Sequence, residues 1–185
     1  RGVDPEVIAA PGAAPRELVV YASGGGMRGI FGAGALHALA GLGVRGRVSA
    51  IYGISAGALN GAQFAIGATM GAMEWYLHHV IEHGLLARAT AVTLIRGEDM
   101  VDLAEAERAL EAEHLVDGGA LTACPFPVRF GAVERGSLAF RWLDARRPDA
   151  VRALLASSTV FPFVHDGVAI DAVTYIDGGY REGIC

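Results

Sequence analysis

The sequence predicts an α/β domain with a mainly parallel central sheet flanked by helices. Three observations carry that reading. Short apolar runs rich in Val, Ile and Tyr alternate with longer helix-like segments. Glycine-rich turns follow the first two apolar runs directly. Hydrophobic residues make up 52% of the chain and charged ones 19%, a balance suited to buried strands and helices. A length of 185 residues predicts one domain over 16–185 behind a loose Ala/Pro/Gly-rich tail at 1–15.

The elements follow in order. Glu17–Ala22 is the first strand. Arg28–Ala40 is a helix closed by Gly41 and Gly43. Val48–Tyr52 is the second strand, Ser55–Ile66 a second helix and Met73–His83 a third. Asp102 and Glu105 form a capping-box-like start for a helix through Glu113. Pro127–Glu134 and Leu138–Leu143 are strands joined by Arg135-Gly136-Ser137, a hairpin. Pro148 suits the first turn of a helix reaching Ser157. Val168–Ile170 and Val173–Ile176 are short strands before Asp177-Gly178-Gly179. The uncharged stretch Val48–Met73 is long enough for a membrane span. Its glycines, with Ser55, Asn60 and Gln63, favour a buried strand followed by a buried helix.

Composition narrows the partners. The net charge is −5 and no basic patch stands out, which argues against nucleic acid. Cys124 and Cys185 make no disulfide framework, and no apolar leader precedes Pro15; both fit a cytoplasmic protein. The chain begins with Arg1, which suggests a trimmed start. All 15 basic residues are arginine, read as the codon bias of a GC-rich bacterial genome.

Three motifs carry chemistry. Ser23-Gly24-Gly25-Gly26-Met27-Arg28-Gly29 joins a strand to a helix and offers bare backbone N–H groups to a negative charge. That charge is either a pyrophosphate or the oxyanion of an acyl-transfer intermediate. A dinucleotide site wants an acid about 20 residues on. The chain has no Asp or Glu between Glu17 and Glu74, although Arg45 or Arg47 is available for a 2′-phosphate. Gly53-Ile54-Ser55-Ala56-Gly57 has the strand-to-helix context of a nucleophile elbow, with Gly53 and Gly57 as the small neighbours it needs. Asp177-Gly178-Gly179, by itself, reads as an ordinary turn.

Together these motifs resemble the patatin-like phospholipase family. They match its glycine-rich oxyanion loop, its nucleophile elbow and its catalytic aspartate motif, in the same order. Ala156-Ser157-Ser158-Thr159-Val160-Phe161-Pro162 is similar to the family's segment before that aspartate. Residues 17–67 and 153–184 carry the resemblance. Three departures stand out: Ser23 where the family often has Asp, Ile54 before the serine, and a stop at Cys185 where members continue, which suggests truncation.

The resemblance implies a three-layer patatin-like fold and a lipid acyl hydrolase with peripheral membrane contact. It implies a Ser55–Asp177 dyad that needs neither metal nor cofactor. Gly24, Gly25, Gly26 and Met27 would supply oxyanion donors. Arg28 would pin the loop through hydrogen bonds or a carboxylate, with Gly29 beside it. Side chains at Gly25 and Gly26 are expected to be excluded.

Other readings stay open. Ser55, with Asp144 or Asp149 and His165, has the chain order of an α/β-hydrolase triad. A non-catalytic acyl-lipid-binding module is a second. His79 and His83 have metal-ligand spacing, but a solvated helix face explains His78, His79 and His83 as well. His37 reads as packing. Phe64, Ile66, Met70 and Met73 either line an acyl-chain groove or belong to the core.

Overall fold

The computed structural model describes residues 18–82, 101–112, 115–160 and 163–181. The tail expected over 1–15 lies outside them.

β1 (Leu18–Ala22) is the apolar run before the glycines. It pairs in parallel with β2 (Val48–Ile54), with Tyr21 opposite Tyr52. Between them, a 3-10 turn at Gly26–Arg28 leads into α1 (Gly29–Gly41). Gly43 reverses the chain after α1 with a left-handed φ of 72°. α2 (Ala56–Ile66) starts one residue after β2. The long uncharged stretch is therefore a strand and a helix. Among the described residues no helix is long and apolar enough to cross a membrane.

α3 (Thr69–Glu74) runs on as a π-helical segment, Trp75–Glu82, so this helix starts before Met73. α4 (Leu103–Ala112) starts at the expected cap: Asp102 Oδ1 accepts the Ala104 and Glu105 N–H groups, each at 3.0 Å. The helix α5 (Gly118–Ala123) was not expected. Asp117 caps it by accepting the Ala120 N–H at 3.0 Å. β3 (Val128–Glu134) and β4 (Phe140–Asp144) form the hairpin, with Phe130 opposite Leu143. α6 (Ala150–Ser158), β5 (Val168–Ile170) and β6 (Val173–Asp177) complete the described chain.

The six strands form one sheet in the order β1-β2-β3-β6-β5, with β4 also on β3. β1, β2, β3 and β5 run in one direction, β4 and β6 in the other. The register of β3 is what builds the site. β4 covers Arg129–Val133 along one edge. β2 and β6 must then share the other edge. β2 takes its first half, ending with Ile54 opposite Gly131. β6 enters from the far end and stops with Asp177 opposite Ala132. Two strands running in opposite directions thus end tip to tip on adjacent residues of β3.

Val128, Phe130 and Ala132 point from β3 toward the helices and are fully buried. α2 and α6 lie directly on the sheet, with α1, α3 and α4 packed outside them. The other sheet face carries a run of rings. Tyr21 stacks on Tyr52 at 5.1 Å, and Trp142 meets Tyr52 edge-on at 5.0 Å and Phe140 at 4.9 Å.

Candidate active site

Ser55 sits between β2 and α2 with φ 55° and ψ −129°. A non-glycine residue pays about 1–3 kcal/mol for such a backbone, which persists only where its surroundings hold it. Here the surroundings do. Its N–H is shared between the Ser157 carbonyl at 3.1 Å and Ser157 Oγ at 3.0 Å. Ser157 Oγ in turn donates to the Gly131 carbonyl at 2.6 Å. Two residues on, the Thr159 carbonyl accepts the Asp177 N–H at 2.9 Å. The C-terminus of α6 therefore holds both strand tips at once.

The elbow depends on missing side chains. A Cβ on Gly53 would stand 2.5 Å from the Gly57 carbonyl oxygen. One on Gly57 would stand 2.0 Å from the Ala22 carbonyl oxygen and 2.6 Å from that of Ser23. These two glycines let α2 fold back onto β2 and press against the loop after β1.

The glycine loop lies over Ser55. A Cβ at Gly24 would come within 3.0 Å of Ser55 Cβ and 3.6 Å of its Oγ. At Gly25 the nearest protein atom to an added Cβ would be an ordinary 3.6 Å away, so the expected exclusion there concerns the approach of a substrate oxygen. Gly26 also has open space around it, and its demand for glycine comes from its φ of 54°. The N–H groups of Gly24, Gly25, Gly26 and Met27 donate to no backbone carbonyl among the described residues. Arg28 supports the loop with its backbone, donating N–H to the Gly25 carbonyl at 3.1 Å. The residue is otherwise exposed.

Gly29 roots the loop in the core. Its carbonyl accepts Asn60 Nδ2 at 2.8 Å, and Tyr76 donates to Asn60 Oδ1 at 3.3 Å. Burial pushes the Tyr76 phenol up to about 12, so it stays a donor throughout the working pH range. Asn60 and Tyr76 escaped the sequence reading. An Asn inside an apolar helix one turn past Ser55 was the available signal.

Asp177, 4% exposed, ends β6. Its Oδ1 accepts the Gly179 N–H at 2.7 Å. Its Oδ2 is buried without a hydrogen bond of good geometry. Burial raises the pKa of the carboxyl above its ordinary value, while interactions with the Ser55 hydroxyl and the Gly179 N–H pull it back down. The structure thus brings together Ser55, Asp177 and the glycine loop.

The other acids lie elsewhere. Asp144 is on β4, across β3 from β2, and is paired with Arg129. Asp149 is 2.8 Å from Arg147, which also holds Asp171. Arg147 pulls the Asp149 pKa down, leaving a committed carboxylate. His165 lies in the turn before β5. His37 Nδ1 is 2.9 Å from Thr69 Oγ1, a link between α1 and α3. His83 lies outside the described residues.

A cavity of about 410 Å³ opens beside Ser55. Gly26, Met27, Ser55 and Ser158 border it, and its walls are otherwise apolar or aromatic. They come from α2, the π-helical segment, α4 with Val101 before it, and α6 with Val160, Phe163 and Val164 after it. Phe64, Ile66, Met70 and Met73 do not line it. Phe64 is fully buried core, and Met70 is exposed.

The model of the family described as patatin-like phospholipase matches residues 22–184. The chain belongs to the patatin-like phospholipase family. The crystal structure of VipD from Legionella pneumophila superposes with a TM-score of 0.61 at 12% identity. The alignment covers 94% of this chain and 47% of that one, so this patatin-like chain spans about half the length of that neighbour. No curated protein matches it in sequence.

Proposed function

We propose that this patatin-like domain hydrolyses acyl esters of lipids with Ser55 as nucleophile and Asp177 as base. The observation that carries the reading is a buried carboxylate at one strand tip interacting with the strained serine at the other. The chemistry follows from the positions. The Ser55 hydroxyl attacks the ester carbonyl and passes its proton to Asp177. N–H groups of Gly25 and Gly26, with that of Gly24 or Met27 as a third, receive the developing oxyanion, each donor worth about 3–4 kcal/mol. Collapse of the intermediate expels the alcohol, which takes the proton from Asp177 and leaves Ser55 acylated. Asp177 then takes a proton from water as it attacks the acyl group, and returns that proton to Ser55 as the acid departs.

A raised Asp177 pKa makes the carboxylate a stronger base than an exposed aspartate. The apolar cavity next to Ser55 supports an acyl chain as the group transferred. Arginines pairing with Asp144 and Asp149 weigh against either as orienter of a histidine.

The test is turnover of p-nitrophenyl esters by the wild type and Ser55→Ala, with labelling by a fluorophosphonate. Ser55→Ala should remove both turnover and label while circular dichroism stays native. Wild-type turnover in that variant would sink the proposal.

A further inference from the structure

The residues that line the cavity beside Ser55 differ widely in burial. Of the residues that line it, Met27 and Phe163 are more than a third exposed. Ala106, Leu110 and Leu154, which also line it, are 2% exposed or less. Ser55 lines it too, under the glycine loop that carries Met27. Ala106 and Leu110 stand one helical turn apart on the buried face of α4 and both line the cavity. A chain attached at Ser55 would run inward from the glycine loop toward α4.

The volume bounds what fits. A water molecule, close in size to a methylene, takes about 30 Å³ in the liquid. At that density about 410 Å³ holds on the order of a dozen chain atoms. We propose that the cavity selects a single medium-length acyl chain, and that Ala106 and Leu110 are the floor that sets the length. This rests on the reading of Ser55 as the acylated residue. Each methylene added inside an apolar cavity strengthens binding about fourfold. Methylenes beyond the floor remain in water and add nothing.

The experiment is calorimetric titration of the Ser55→Ala protein with sodium n-alkanoates of six to sixteen carbons, below their micelle concentrations. The head group is constant, so the slope reports the chain. Affinity should rise about fourfold per methylene and break near twelve carbons. In Ala106→Leu, which adds three carbons to the floor, the break should move about three carbons shorter. In Leu110→Ala, which removes three, it should move about three carbons longer. The opposite shifts guard against one variant failing to fold. A break at one length in all three proteins, a slope unbroken to sixteen carbons, or no binding at any length overturns the assignment. Because binding is read without turnover, a wild type inactive on every ester would sink the reaction, while a normal binding series would still support the site.

Discussion

Replacing Gly57 by alanine separates local propensity from packing. Gly57 is in the first turn of α2, where alanine should gain up to about 1 kcal/mol over glycine by helix propensity alone. The structure predicts the opposite sign. The new methyl would stand 2.0 Å from the Ala22 carbonyl oxygen, against a floor of 3.0 Å for real contacts. Both partners are backbone, so α2 and the end of β1 must separate by about 1 Å. Overpacking of this kind costs about 1–3 kcal/mol, and the upper end applies where no side chain can rotate away. After the propensity gain the net loss is about 2 kcal/mol. For a domain of this size that lowers the melting temperature by about 4–8 °C. The same displacement lifts the glycine loop off Ser55, and a 1 Å error in a reacting geometry costs on the order of 10²-fold in kcat. Gly34→Ala is the control. It lies within α1 with no atom within 4 Å of the added methyl, and should raise the melting temperature slightly with kcat unchanged. Scanning calorimetry and ester turnover on both variants decide the matter. A Gly57→Ala protein more stable than wild type and equally active would refute the packing argument.

Asp177→Asn should abolish turnover yet raise the melting temperature at neutral pH. The folded pKa of Asp177 lies above its ordinary value, so the fold favours the protonated acid. Its ionisation therefore weakens the fold. The loss is absent below the unfolded pKa, grows as pH rises from there, and is complete above the folded pKa. Melting curves of both proteins should therefore converge in acid. His165→Ala should retain most activity, and kcat should rise with pH through a single raised carboxyl ionisation; a folded but inactive His165→Ala would instead favour a histidine mechanism. Ser157→Ala should lower kcat more than it changes KM, because it removes the hydroxyl that accepts the Ser55 N–H and bonds the Gly131 carbonyl.

The sequence made the elbow and the Asp177 turn visible because both depend on small residues at fixed spacing, and a missing side chain is legible in one dimension. Asp102 announced its helix by the same kind of local rule. Other features were less accessible. α2 has no solvent face from Gly57 to Ala65, so its periodicity could not tell core from cavity wall, and Phe64 was as eligible for an acyl groove as Leu59. Ser157 stood in a recognised segment, but its task depends on β3 lying between β2 and β6, a register that no local pattern contains. α5 was missed although Asp117 caps it, because a six-residue helix with two leading glycines has weak propensity.

The meeting of two strand tips on one edge of β3 sets an order in time. The serine half is built from neighbours in sequence, β1 through α2, and its glycine loop can form with it. Its clamp comes from Ser157, 102 residues further along, and its carboxylate from still later. Closing so long a loop is slow compared with forming a local βαβ unit. A chain emerging from the ribosome would therefore carry a nucleophile with no base until nearly all of this segment had been made. Under the proposed mechanism, the appearance of esterase activity during refolding would clock the last long-range docking step, while helix content would report the earlier ones.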